Sequence, residues 1–186
     1  MKKIVVIGPE STGKSTLCKL LASHYHTAWV PEYARAFLEK YGTAYSYDDL
    51  LKIANGQMAS EDKMADEQRK YFEERKIKDE ERFLFIDTDM YVMKVWCEYV
   101  FDQCHNKILN SIAERKYDAY LLCDVDLPWV ADELREYPDP KERGKLFHFY
   151  KDLLVNQSTP WITISGDYEA RLQNAIHFID DMIWKK

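Results

Sequence analysis

The sequence predicts an α/β protein: a central parallel five-stranded sheet with helices on both faces and a helical lid. Three observations predict it. Five short apolar runs, at 4–7, 28–30, 83–86, 117–123 and 161–164, have the composition of strands buried on both faces. Helix-compatible segments separate them, as parallel crossovers require. The first run leads through a Gly-containing loop into an amphipathic segment, a strand–loop–helix unit.

The elements follow in order. Ile4-Val5-Val6-Ile7 is a buried strand, and residues 8–13 are a loop. A helix runs from about Lys14 to Tyr25, with Leu17, Leu20 and Leu21 at helical spacing. Ala28-Trp29-Val30 is a second strand, ended by Pro31. Residues 33–40 form a short helix. From Tyr47 to Glu81 the chain favours helix, with a break at Asn55-Gly56. The charged stretch Glu61 to Arg82 reads as a solvated helix laced with i,i+4 pairs. Phe83-Leu84-Phe85-Ile86 is the third strand, and helical segments fill 90–116. The fourth strand lies in Tyr117–Cys123. Residues 128–158 are expected to be helical with a Pro138/Pro140 break, forming the lid. Trp161–Ile164 is the fifth strand, and Asp167 caps a helix that reaches Trp184. The expectation is a single domain over residues 1–186.

Composition excludes several classes. Twenty-six basic against 32 acidic residues give a net charge of −6, which argues against a duplex nucleic-acid binder. No apolar stretch approaches the ~18 residues of a membrane span. The opening Met1–Ile7 is too short for a signal h-region. Cys18, Cys97, Cys104 and Cys123 form no CxxC pair and no zinc spacing, so a reduced, cytoplasmic setting is expected. The five histidines show no paired spacing that suggests a metal site or triad. Nothing in the sequence sets the oligomeric state.

The strongest chemical signal is Gly8-Pro9-Glu10-Ser11-Thr12-Gly13-Lys14-Ser15, which matches G-x-x-x-x-G-K-[ST]. Glycines let successive N–H groups turn inward toward phosphate oxygens, and the following helix adds its positive end. Lys14 is placed to reach the β- and γ-phosphates, and the Ser15 hydroxyl to ligate Mg²⁺. A chance match in a chain of this length is roughly a one-in-a-hundred event, and the flanking strand and helix are what the motif requires. A P-loop nucleotide-binding protein is expected, with ATP and Mg²⁺.

The guanine-reading Asn-Lys-x-Asp is missing, since Asn106-Lys107 continues as Ile108-Leu109. A small-molecule kinase fits the length and needs an acceptor pocket, a group to orient the acceptor hydroxyl, and cations over the phosphates. Ligands of open α/β sheets bind beyond the carboxyl ends of strands. Glu32 follows the second strand, Asp87 and Asp89 the third, and Asp124 and Asp126 the fourth. Asp87 is the first choice for metal ligand or base. Arg35, Arg135 and Arg143 are the candidate cations, the latter two in the lid. Gly166, at a strand–helix junction, leaves room for the adenine ring. Tyr33, Tyr45, Trp96 and Trp129 are candidate aromatic walls, and Gln57 a candidate contact to an acceptor amide or hydroxyl.

Taken together, Gly8–Thr16, Pro31-Glu32-Tyr33-Ala34-Arg35, Ile86-Asp87-Thr88-Asp89, Pro128–Arg135 and Ser165–Arg171 resemble the nicotinamide riboside kinase domain of the bacterial NadR proteins. The resemblance covers nearly the whole chain. It implies ATP-dependent phosphorylation of the 5′-hydroxyl of nicotinamide riboside, a P-loop kinase fold, Glu32 and Asp87 near the acceptor ribose, and Arg135 in the lid. At 186 residues the expectation is a kinase domain without the DNA-binding and adenylyltransferase domains of multidomain members. An acidic, aromatic-rich protein suits a pyridinium cation. Two other readings stay open: a kinase of another nucleoside or nucleotide, and a nucleotide-dependent switch.

Overall fold

A computed structural model describes residues 1–184; the last two residues of the expected domain lie outside the described residues. Five strands, β1 (Lys2–Ile7), β2 (Trp29–Val30), β3 (Phe83–Asp87), β4 (Ala119–Cys123) and β5 (Trp161–Ile164), form one parallel sheet in the order β2-β3-β1-β4-β5. Among the described residues seven α-helices surround it: α1 (Lys14–His24), α2 (Tyr33–Tyr41), α3 (Tyr47–Glu74), α4 (Met90–Phe101), α5 (Asn106–Glu114), α6 (Pro140–Val155) and α7 (Tyr168–Trp184).

Strand alternation divides the core in two. Ile4, Val6, Phe83, Phe85, Leu121 and Ile164 point to the face covered by α1 and α7. Val5, Ile7, Leu84, Ile86, Tyr120 and Leu122 point to the face covered by α3, α4 and α6. Both faces are dry, which explains why the strands read as unbroken apolar runs; each fully buried aliphatic side chain contributes ~1.5–3 kcal/mol. A third cluster, built on Phe37, Leu38, Leu50, Ile53 and Met93, seats α2 against the start of α3 and α4.

The sequence expectation fails along α3 and over residues 128–140. Asn55-Gly56 does not break α3, which runs unbroken from a capping box at Ser46 and Asp49. Its charged half is not solvated all round: Glu61, Ala65 and Phe72 are buried, and Glu61 pairs with Lys3 at 2.7 Å and accepts from the Tyr117 hydroxyl at 2.9 Å. The span 128–139 is irregular rather than helical. Pro140 starts α6 instead of interrupting it, with Asp139 accepting from the Lys141 N–H at 2.8 Å as N-cap. The helical segments expected over 90–116 are α4 and α5, with Asp102 ending α4 in the left-handed region.

Candidate active site

The loop after β1 is shaped by two glycines. At Gly8 (φ 145°) a Cβ would meet the Cys123 carbonyl oxygen at 2.7 Å, so the loop passes closer to β4 than a side chain allows. Gly13 (φ 78°) takes the left-handed region as N-cap of α1. Inside the loop, the Thr12 hydroxyl and Lys14 Nζ both donate to the Pro9 carbonyl, at 2.7 and 2.9 Å. The Ser15 hydroxyl donates to Asp87 Oδ2 at 2.5 Å. Thr16 stands exposed beside it.

Asp87 ends β3 and is fully buried. Burial pushes its carboxyl above the ordinary range, Glu32's charge adds to this, and Lys14's charge opposes it. Its Oδ1 is buried and has no partner among the described residues. An open carboxylate oxygen next to a serine hydroxyl fits Mg²⁺, which takes few protein ligands and completes its shell with phosphate and water. Among the described residues no cluster of three or more His, Cys, Asp or Glu could hold a metal.

Beside this loop lies a cavity of about 540 Å³. Gly8 to Thr16 form one wall; Glu32 and Arg35 enter from the start of α2; Trp96, Tyr99 and Tyr150 supply an aromatic wall from α4 and α6. Glu32 is the N-cap of α2, yet its side chain makes no capping bond. Arg35 pairs with Asp132 at 2.8 Å and with Glu39 at 3.2 Å. The Asp132 partner raises the Arg35 pKa, and the same contact lowers that of Asp132.

The lid segment rests on the loop. The Ser11 hydroxyl accepts from the Val130 N–H at 3.0 Å and from Arg135 at 3.3 Å, while Arg143, 4% exposed, donates to the Ser11 carbonyl at 3.2 Å. Both guanidinium groups stand over the Trp129 ring, at 5.9 and 5.5 Å. Glu10 Oε2 accepts from the N–H groups of Glu136 and Tyr137, at 2.9 and 3.2 Å; burial raises its pKa.

Several expected site residues lie elsewhere. Asp89 does not reach the cavity: it is 2% exposed, caps α4 through the Tyr91 N–H at 3.0 Å and accepts from the Tyr120 hydroxyl at 3.0 Å. Burial pushes it up to about 7. Gln57 is not a surface glutamine facing a ligand; it is 1% exposed and both amide atoms bind backbone. Tyr33 packs its ring on Gly56, Trp129 carries the two arginines, and Tyr45 binds Glu136 at 2.9 Å and Trp96 at 2.7 Å, behind the wall. Gly166 is exposed and holds Asp126 through its N–H at 2.5 Å.

Tyr99, in the aromatic wall, escaped the sequence reading, as did Tyr150 and Arg171. Tyr150 is 5% exposed and lines the cavity. Arg171, 1% exposed, ties the Gly166, Thr12 and Asp124 carbonyls together at 2.7, 3.1 and 3.1 Å and pairs with Asp126. Its signal was an arginine on the inward face of the last helix.

An AAA domain profile matches residues 3–171, nearly the whole chain. The chain belongs to the AAA domain family. This AAA domain is also 24% identical, over 98% of its length, to the trifunctional NAD biosynthesis/regulator protein NadR of Escherichia coli and to that of Salmonella typhimurium. It spans 43% of each of those relatives. Among solved structures, a NadR protein in complex with NR superposes with a TM-score of 0.74 at 21% identity, covering 98% of this chain and 49% of that one. A thymidylate kinase from Ehrlichia chaffeensis reaches 0.63 at 12% identity, with 95% and 98% covered. The resemblance to NadR and the α/β P-loop kinase fold expected from the sequence are both supported. No described helix is long and apolar enough to cross a membrane.

Proposed function

We propose that the domain is an ATP-dependent kinase of nicotinamide riboside, acting on the ribose 5′-hydroxyl. The observation that carries this reading is one cavity lined by the phosphate loop, by aromatic side chains and by the carboxylate of Glu32, which makes no capping bond to its own helix. Likeness to NadR, one structure of which binds NR, supports the choice of acceptor.

Backbone N–H groups of residues 10–15 and the Lys14 ammonium bind the ATP phosphates. Ser15 and Asp87 are the residues that would hold Mg²⁺, which would supply charge neutralisation for the phosphates. Glu32, which lines the cavity, orients the acceptor hydroxyl and takes its proton late, since a loose transition state needs little base strength. Asp87 lies one layer beneath, behind Ser15, and suits the metal better than the acceptor. Arg135 and Arg143, now on Ser11, are within reach of phosphate oxygens bound there. Trp96 and Tyr150 wall a flat cationic ring, and the negative net charge favours its approach.

Incubation with ATP, Mg²⁺ and nicotinamide riboside should give a product heavier by one phosphoryl group in the mass spectrometer. Transfer to another nucleoside or nucleotide only, or ATP loss without any acceptor, would replace this reading with one of its rivals.

A further inference from the structure

Gln57 lies mid-way along α3, buried, with both ends of its amide committed. Its Oε1 accepts from the Tyr33 N–H at 2.7 Å, and its Nε2 donates to the Asp87 carbonyl at 3.2 Å. The first N–H groups of a helix have no partner inside the helix. Ordinarily the N-cap side chain supplies one. The N-cap of α2 is Glu32, and its carboxylate does not. Gln57 therefore caps α2 from a different helix, which leaves Glu32 to face the cavity. The same amide holds the last peptide of β3, the one that carries Asp87.

Its neighbour explains how the amide gets there. A Cβ on Gly56 would lie 2.1 Å from Tyr33 Cε1, so α3 meets the Tyr33 ring through a bare backbone. This closeness brings the residue-57 side chain between α2 and β3.

We propose that Gln57 is a positioning residue: one buried amide sets the separation between Glu32 and Asp87, and so between the acceptor hydroxyl and the metal-side carboxylate. The inference rests on the roles assigned above to those two residues. A misplacement of ~1 Å costs on the order of 10²-fold in rate.

Two variants test it. Gln57→Met removes both bonds at similar volume; Gln57→Glu, assayed at about pH 9 so that burial does not hold it protonated, keeps an acceptor for Tyr33 and loses the donor to Asp87. Backbone amide exchange at Tyr33, followed by NMR, reads the first bond without any turnover. Protection should fall at least about tenfold in the Met variant and persist in the Glu variant. ATP turnover, with whichever acceptor the wild type uses or with water, reads the second. Both variants should lose about 30- to 100-fold in kcat, with KM for ATP within about threefold. A Met variant with a wild-type Tyr33 amide, or either folded variant with kcat within threefold, overturns the proposal. If the Met variant does not fold, the Glu variant decides it alone. Failure of the wild type to phosphorylate nicotinamide riboside rejects the acceptor assignment and leaves the Gln57 comparison intact.

Discussion

Replacing Arg171 by Ala tests how the phosphate loop is held. The guanidinium binds three carbonyls and the Asp126 carboxylate, and almost none of it is exposed. Removing one partner of a fully buried ion pair costs about 3–5 kcal/mol. Asp126 is 38% exposed and regains water, so the low end applies to it. The Thr12 carbonyl belongs to a residue that is 1% exposed, and an orphaned buried acceptor costs ~1–3 kcal/mol. These contributions overlap, and a loss of about 3 kcal/mol is expected. For a domain of 150–250 residues each kcal/mol shifts Tm by ~2–4 °C, so unfolding followed by circular dichroism should move down by about 6–12 °C. Arg171→Lys should fall between, because one ammonium cannot reach four acceptors set around a planar fork. A loss below about 3 °C for Ala, or a Lys variant as stable as the wild type, would refute the view that this side chain staples the loop.

Three further outcomes are expected. Lys14→Ala should lower kcat by at least about 10²-fold in a coupled ATP assay, because it removes a preorganised charge from the phosphates, while the circular dichroism spectrum stays unchanged. EDTA should abolish transfer and Mg²⁺ restore it, with Ca²⁺ much less effective because its longer bonds and larger shell suit a Ser–Asp site poorly; equal rates with both ions would contradict the assignment. Gly56→Ala should destabilise the fold in guanidinium melts, since ~1–3 kcal/mol of overpacking against Tyr33 outweighs the ~0.5–1 kcal/mol that Ala gains in a helix; a stabilised variant would show that the ring moves freely.

Local chemistry made the sheet legible. The three central strands, β1, β3 and β4, are buried on both faces over their apolar runs, so their β-branched and aromatic residues stand out without periodicity. The phosphate loop was legible because its glycines answer a steric demand that no other residue meets. Position 56 was misread because a glycine's helix cost of ~1 kcal/mol is small beside the packing of a 28-residue helix. The stretch 128–139 has helical composition but is held irregular by distant groups, with Glu10 taking two of its N–H groups and Arg35 taking Asp132. Gln57 and Arg171 act on residues far away in sequence, and an amide or guanidinium does not announce which carbonyl it will find.

The strand order also bears on synthesis at the ribosome. β1 lies between β3 and β4, so Ile4 to Ile7 have no sheet partner until Phe83 to Asp87 have been made. At ~5–20 residues per second, a delay of roughly 80 residues keeps this apolar strand unpaired for about 4–16 s. During that time its two unsatisfied edges are open to any extended neighbour. Nascent chains arrested before β3 should therefore aggregate or engage holding chaperones, and chains that extend past β4 should not.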